Sequence, residues 1–354
     1  MIYINNNPER LHQLADNWCS KLRKFLTERK CYRSIKITGS KKKKRIAFVN
    51  YQDKIEDIIK RSKLTANEKE KCRSRINDFY AQLDQYVLAE EDQLKAFHDE
   101  YKISVRENSA PECAKAHALL SKIFIALYED FTKSIPIFDK DDVDRKKYQK
   151  IPIAYYFFDK LNVRTCPYCN RGYTFTKYEK GCKTRPEYDH FYDKADNPLL
   201  AVSFYNLVPS CHTCNHIKLT KEIGINPYFS GFHSKFKVSK HDSKLPIMAE
   251  KDLTQDQLII DFDNPTAAEQ LNIDNLGLGD LYKMHSDYAM ELIDKARIYR
   301  GPMMEDLAST FQKAGCTPQQ AFEFIWGKNL ENANHINRPL SKFTKDILDQ
   351  LEVN

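Results

Sequence analysis

The chain has 354 residues, of which 42% are hydrophobic and 30% charged, with a net charge of +7. That balance fits two or three folded domains and excludes a disordered chain. The longest apolar run, residues 151–158, is too short to span a bilayer, and the opening MIYINNNPER lacks the basic-then-apolar order of a secretory leader, so a cytoplasmic protein with no membrane partner is expected.

In chain order, residues 8–30 carry Leu11, Leu14, Trp18, Leu22 and Phe25 at helical spacing. A small hairpin is expected over 33–50, with Ile35 and Ile37 on one arm, Ile46 and Phe48 on the other, and Gly39-Ser40 at the turn. Residues 66–105 are charged but hold an apolar stripe of Ile76, Phe79, Tyr80, Leu83 and Val87, which predicts one or two long amphipathic helices. Pro111 opens another helix over 111–132. Between residues 165 and 229 the periodicity is short and broken, and Cys, Asn, Tyr, Phe and Pro are frequent. Residues 231–262 read as loop and strand, with Leu258, Ile259, Ile260 and Phe262 as an apolar run. Then come a long helix over 278–298 and further helices over 303–313, 317–327 and 340–351. No repeat is visible.

Ten glycines occur, none in a phosphate-loop or dinucleotide-binding pattern, which argues against an ATPase. The modest positive excess allows nucleic-acid binding without requiring it. Its densest cluster is Lys41, Lys42, Lys43, Lys44 and Arg45, which reads as a solvated loop or as a phosphate-contacting arm. Of ten cysteines, four form two CxxC pairs: Cys166 with Cys169, and Cys211 with Cys214. In a reducing compartment such pairs favour metal over disulfide. Four thiolates complete a tetrahedron around zinc and leave no open position, so this zinc would be structural. Cys182 lacks a partner, and Cys19, Cys31, Cys72, Cys113 and Cys316 are expected in cores.

Between and after the pairs stand Tyr188-Asp189-His190-Phe191, Asn206-Leu207-Val208 and Asn215-His216-Ile217-Lys218. This order resembles the zinc-containing branch of the HNH endonucleases: CxxC, Asp-His, Asn-Leu, then CxxC followed by His or Asn and a Lys three residues later. The resemblance covers about a fifth of the chain. It implies two antiparallel strands and a helix around one catalytic divalent metal, Mg2+ or Mn2+. His190 would be the general base, Asp189 a metal ligand, and Asn206 the residue that braces the loop and orients His190. Asn215 stands where the name calls for His. It ranks first as the remaining metal ligand, ahead of His212 and then His216. Lys218 would touch a phosphate or simply be solvated.

The stretches CPYCNRGYTF, YDHFYDK and LAVSFYNLVPSCHTCNHIK also resemble bacterial HNH effectors of antiphage defence, of the Septu and retron-associated types, which act beside an ATPase subunit. The expected fold class is α+β. A zinc-bound ββα core (151–230) would lie between a helical N-terminal region (1–150) and a mostly helical C-terminal one (231–354). The expected function is phosphodiester hydrolysis, with DNA favoured over RNA. The competing reading is a catalytically inactive zinc-stabilised nucleic-acid-binding or scaffold protein.

Overall fold

The computed structural model describes residues 1–4, 7–36, 43–107, 111–241, 243, 245–250, 252–299, 301–328 and 330–353. Helices and four two-stranded sheets make up an α+β protein, as expected. Among the described residues no helix is long and apolar enough to cross a membrane. The chain divides into two compact units, and neither is a single stretch of sequence. The first combines residues 7–162 with 176–208, and the second combines 1–6, 163–175 and 209–354. This division cuts through the stretch 151–230 and differs from three consecutive regions.

The first unit opens on α1 (Pro8–Glu28), where Asn7 caps the first turn by accepting from Arg10 N and Pro8 presets the backbone. The stripe Leu11, Ala15, Trp18, Leu22 and Phe25 is buried. Strands β1 (Cys31–Lys36) and β2 (Lys43–Phe48) pair antiparallel, with Cys31 opposite Phe48 and Ile35 opposite Lys44. The expected turn and Lys41 and Lys42 lie outside the described residues. Lys43, Lys44 and Arg45 belong to β2 rather than to a loop. Helix α2 (Tyr51–Arg61), unread from sequence, follows an Asn50 cap.

The charged stretch forms three helices, not one or two: α3 (Ala66–Ala81), α4 (Leu83–Val87) and α5 (Glu91–Glu107). A reciprocal Thr65–Glu68 box starts α3. Helix α6 (Pro111–Lys133) matches expectation. The short α7 (Arg145–Tyr148) and the apolar α8 (Ile153–Leu161) follow, and Asn162 ends α8 in the left-handed region. Strands β3 (Lys177–Glu179) and β4 (Cys182–Thr184) form a hairpin. Strand β5 (Glu187–His190) pairs with β6 (Leu207–Ser210), along which the chain passes into the second unit.

The core of the first unit centres on Trp18. Its ring meets Phe131 and Phe157 edge-on, both at 4.9 Å, and its indole N–H donates to Val202 O at 2.8 Å. One side chain thus supplies both apolar area and a satisfied polar tip.

In the second unit, α9 (His212–Lys218) follows β6. Strands β7 (Lys235–Lys240) and β8 (Leu258–Asp263) pair antiparallel, and β8 takes up the expected apolar run. Helix α10 (Ala267–Asn275) starts on a Thr266–Glu269 box. The helix expected over 278–298 is two: α11 (Leu278–Lys283) and α12 (Ser286–Ile298). The ladder tightens where His285 N donates to Tyr282 O, three residues back, and α12 starts anew. Helices α13 (Pro302–Lys313), α14 (Pro318–Trp326) and α15 (Ser341–Gln350) match the remaining expectations. Phe236, Tyr282 and Phe343 pack mutually at 4.2–5.2 Å and form the aromatic centre.

Replacing Trp18 by Ala removes the indole from a fully packed site and leaves the Val202 carbonyl unmet. The expected loss is about 3–5 kcal/mol. Urea unfolding followed by far-UV circular dichroism of the whole chain checks it. A loss below about 1 kcal/mol would place the core elsewhere.

Candidate metal centre and catalytic loop

The metal centre is built within the second unit. Cys166 and Cys169 sit on a tight turn closed by Asn170 N to Cys166 O (2.7 Å) and Cys166 N to Gly172 O (3.0 Å). Asn170 adopts the left-handed conformation (φ 49°), which turns the chain sharply after the second cysteine. Cys211 caps α9: its sulfur accepts from Cys214 N. Two further backbone N–H groups aim at sulfur, Arg171 N at Cys169 Sγ and Cys211 N at Cys166 Sγ.

All four Sγ atoms lie within 4.8 Å of one another, with Cys169 and Cys211 3.9 Å apart. Zinc–sulfur bonds of about 2.3 Å imply tetrahedral edges of about 3.8 Å, so the set can hold a zinc ion as expected. Three of the four are buried and Cys211 is half-buried. Burial, then hydrogen bonding to Cys169 and Cys211, pushes the Cys166 thiol up. Hydrogen bonds from Cys166, Cys211 and Cys214 pull Cys169 down. A metal would replace the protons that the thiols hold.

The turn is anchored by residues that sequence reasoning passed over. The Asn170 amide donates to Thr165 Oγ1 (2.9 Å), His335 O (3.0 Å) and Arg338 O (3.2 Å), while its oxygen accepts from Lys342 N (3.3 Å). Tyr282, fully buried, donates its hydroxyl to Cys169 O. The available signal was the Asn directly after CxxC, a residue type that tolerates positive φ.

On α9, Asn215 is half-buried, whereas His212 and His216 are exposed. The two imidazoles stack at 5.8 Å, so they share a face one turn apart. Lys218 was expected either at a phosphate or solvated. It is fully buried, four residues after buried Cys214 and so on the same inward face.

The loop joining β5 to β6 lies in the first unit. Asp189 and His190 are buried at the end of β5, 2% and 5% exposed, and Asn206 is completely buried. Asn206 closes the loop from both sides. Its amide donates to Tyr192 O (3.1 Å) and Leu200 O (3.0 Å), and its oxygen accepts from Tyr192 N (2.8 Å). Its own carbonyl accepts from Phe191 N (2.9 Å). By fixing Leu200, Asn206 also fixes Ala201, whose carbonyl lies 3.0 Å from His190 Nε2. A carbonyl only accepts, so Nε2 carries the proton and Nδ1 carries the basic lone pair. The His190 ring stands edge-on to Tyr128 at 4.7 Å.

The helical flank supports this loop through His98 of α5, also unread from sequence. Its ring stacks on Tyr192 at 4.2 Å, and its Nδ1 meets Asn197 Oδ1 at 2.8 Å. Asp193 ties the middle of the loop by accepting from Ala195 N (2.8 Å).

No protein-family model, curated protein or solved structure matches the chain.

Two expectations follow. The purified chain binds one zinc, and its affinity falls steeply as pH drops from about 8 to about 6, because each thiolate must shed a proton first. Cys214→Ser loses the metal; full zinc retention by elemental analysis would discard the site. Separately, burial lowers His335 from 6.5 to about 4. Below about 6.5 the unfolded chain takes up a proton that the folded chain refuses, so stability present above 6.5 is lost as pH falls toward 4. His335→Gln should flatten that decline in melts recorded at successive pH values.

Proposed function

We propose that the chain is an endonuclease that hydrolyses phosphodiester bonds, with the four cysteines holding a structural zinc and a separate divalent cation serving catalysis. The observation that carries this reading is the hydrogen bond between His190 Nε2 and Ala201 O. It selects the tautomer whose Nδ1 has the basic lone pair that activation of water requires. An imidazole with no chemical task does not need an asparagine-braced loop beneath it, and Asn206 supplies that bracing.

The chemistry divides as follows. His190 Nδ1 takes a proton from the attacking water. Asn206 keeps the imidazole in register through the Leu200–Ala201 backbone. Asp189 offers the cation a hard carboxylate. Mg2+ or Mn2+ would supply charge neutralisation at the phosphate and at the departing 3′ oxygen. Lys218, being fully buried, fits a structural role better than a phosphate contact. On the family resemblance the substrate is DNA before RNA, in an antiphage defence effector whose ATPase is a separate chain.

One observation favours the inactive scaffold as the second reading. His190 is only 5% exposed, so a substrate meets little of its ring.

The experiment is a nicking assay on supercoiled plasmid and on total RNA, with Mg2+ and Mn2+. His190→Ala should lower the rate by about 10²–10⁴-fold while zinc content and melting temperature stay as in the parent. Equal cleavage by parent and variant would remove His190 from the mechanism. No cleavage by the parent under either metal would leave the scaffold.

A further inference from the structure

The second unit holds a group of basic side chains that nothing in the nuclease reading uses. Arg171 follows the zinc turn, His285 begins α12, Lys328 follows α14, and Arg338 precedes α15. Among the described residues none of the four pairs with a carboxylate. The backbone brings them together. The Asn170 side chain, next to Arg171, donates to Arg338 O at 3.2 Å. Arg338 Nη1 donates to Gly327 O at 3.0 Å, which sets its guanidinium beside Lys328. Arg171 Nη1 donates to Leu281 O at 3.2 Å, one turn before His285. Lys328 Nζ lies 5.0 Å over the Tyr288 ring, within the first turn of α12.

Three of these side chains, all except Arg338, are half-buried. Placing cations together out of water is costly when no anion answers them. Two nitrogens make the mismatch concrete: Arg171 Nε and His285 Nε2 are buried with no hydrogen-bond partner. The guanidinium Nε always bears a proton, so it requires an acceptor. The nearby carboxylates are engaged elsewhere. Asp287 accepts from Tyr288 N at 2.7 Å, and Glu291 pairs with Lys295 at 2.6 Å. The mutual repulsion also registers in protonation. Burial and then Arg171 lower His285, and burial and then Arg338 lower Lys328.

We propose that Arg171, His285, Lys328 and Arg338 form a phosphate-binding site. A phosphate presents several oxygens to donors converging from different directions, and a guanidinium fork suits two of them at once. The group could belong to a nucleic-acid strand or to a free phosphorylated ligand. The site goes beyond the nuclease reading and does not depend on cleavage.

The test uses zinc-loaded full chain in the His190→Ala background, without added magnesium and at constant ionic strength. Inorganic phosphate and a fluorescent single-stranded oligonucleotide are titrated separately. We expect at least one to bind, and the Lys328→Gln/Arg338→Gln double variant to bind it at least tenfold more weakly. The ligand-free variant should melt no lower than its parent, because repelling charges are removed. If phosphate alone suffices, a free phosphorylated ligand is the source; if only the oligonucleotide binds, the strand backbone is. Should the double variant not fold, the His285 ring resonances of the otherwise unaltered chain report instead, and phosphate should raise the pH at which they titrate. Absence of binding by both probes, equal binding by parent and variant, or an unmoved His285 titration would overturn the proposal.

Discussion

Everything near the metal centre depends on four sulfurs held within 4.8 Å of one another. Two short turns deliver them, and each turn spends backbone N–H groups on sulfur. Thiolates accept such bonds well, and the fold supplies them before any metal enters. The arrangement then spreads outward. Asn170 fastens one turn to residues 335–342, and Tyr282 fastens it to the aromatic centre with Phe236 and Phe343. A site of four ligands thereby becomes the organising point of a unit assembled from three separate stretches of sequence.

The loop between β5 and β6 follows a different logic. It is held by side-chain amides rather than by thiolates. Asn206 satisfies three backbone groups at once, and a fully buried amide can afford no fewer partners without a large desolvation cost. The order this creates reaches His190 only indirectly, through the carbonyl of Ala201. That is how an asparagine not bonded to an imidazole still governs which ring nitrogen holds a proton. Helix α5 adds a second support through His98, which binds the loop by stacking and by a hydrogen bond.

The legible parts of this chain were those with a strong local signature. The CxxC pairs were readable because zinc chemistry fixes residue type and spacing together, and helices such as α1, α6 and α15 because their apolar stripes keep a 3.6-residue period. The break between α11 and α12 was hidden because apolar residues continue on both sides of it. Helix α2 carries only Tyr51, Ile55 and Ile59 on its inner face, too short a stripe to stand out. The burial of Lys218 was invisible for another reason: a lysine is read as exposed unless its face is known, and that face is set by Cys214 one turn earlier. Asn170, His98 and Tyr282 escaped because their partners lie far away in sequence, and no local pattern announces such contacts.

The reach of Asn170 across the chain also bears on how the protein is made. The first CxxC turn leaves the ribosome well before residues 335–342, so for much of translation the asparagine's amide has only Thr165 and water to bind. Residues 1–4 wait in the same way, since Ile4 N donates to Pro227 O and Ile2 N to Pro167 O. The nascent chain can gather its sulfurs early, yet it cannot finish the shell around them until the segment carrying α15 has emerged.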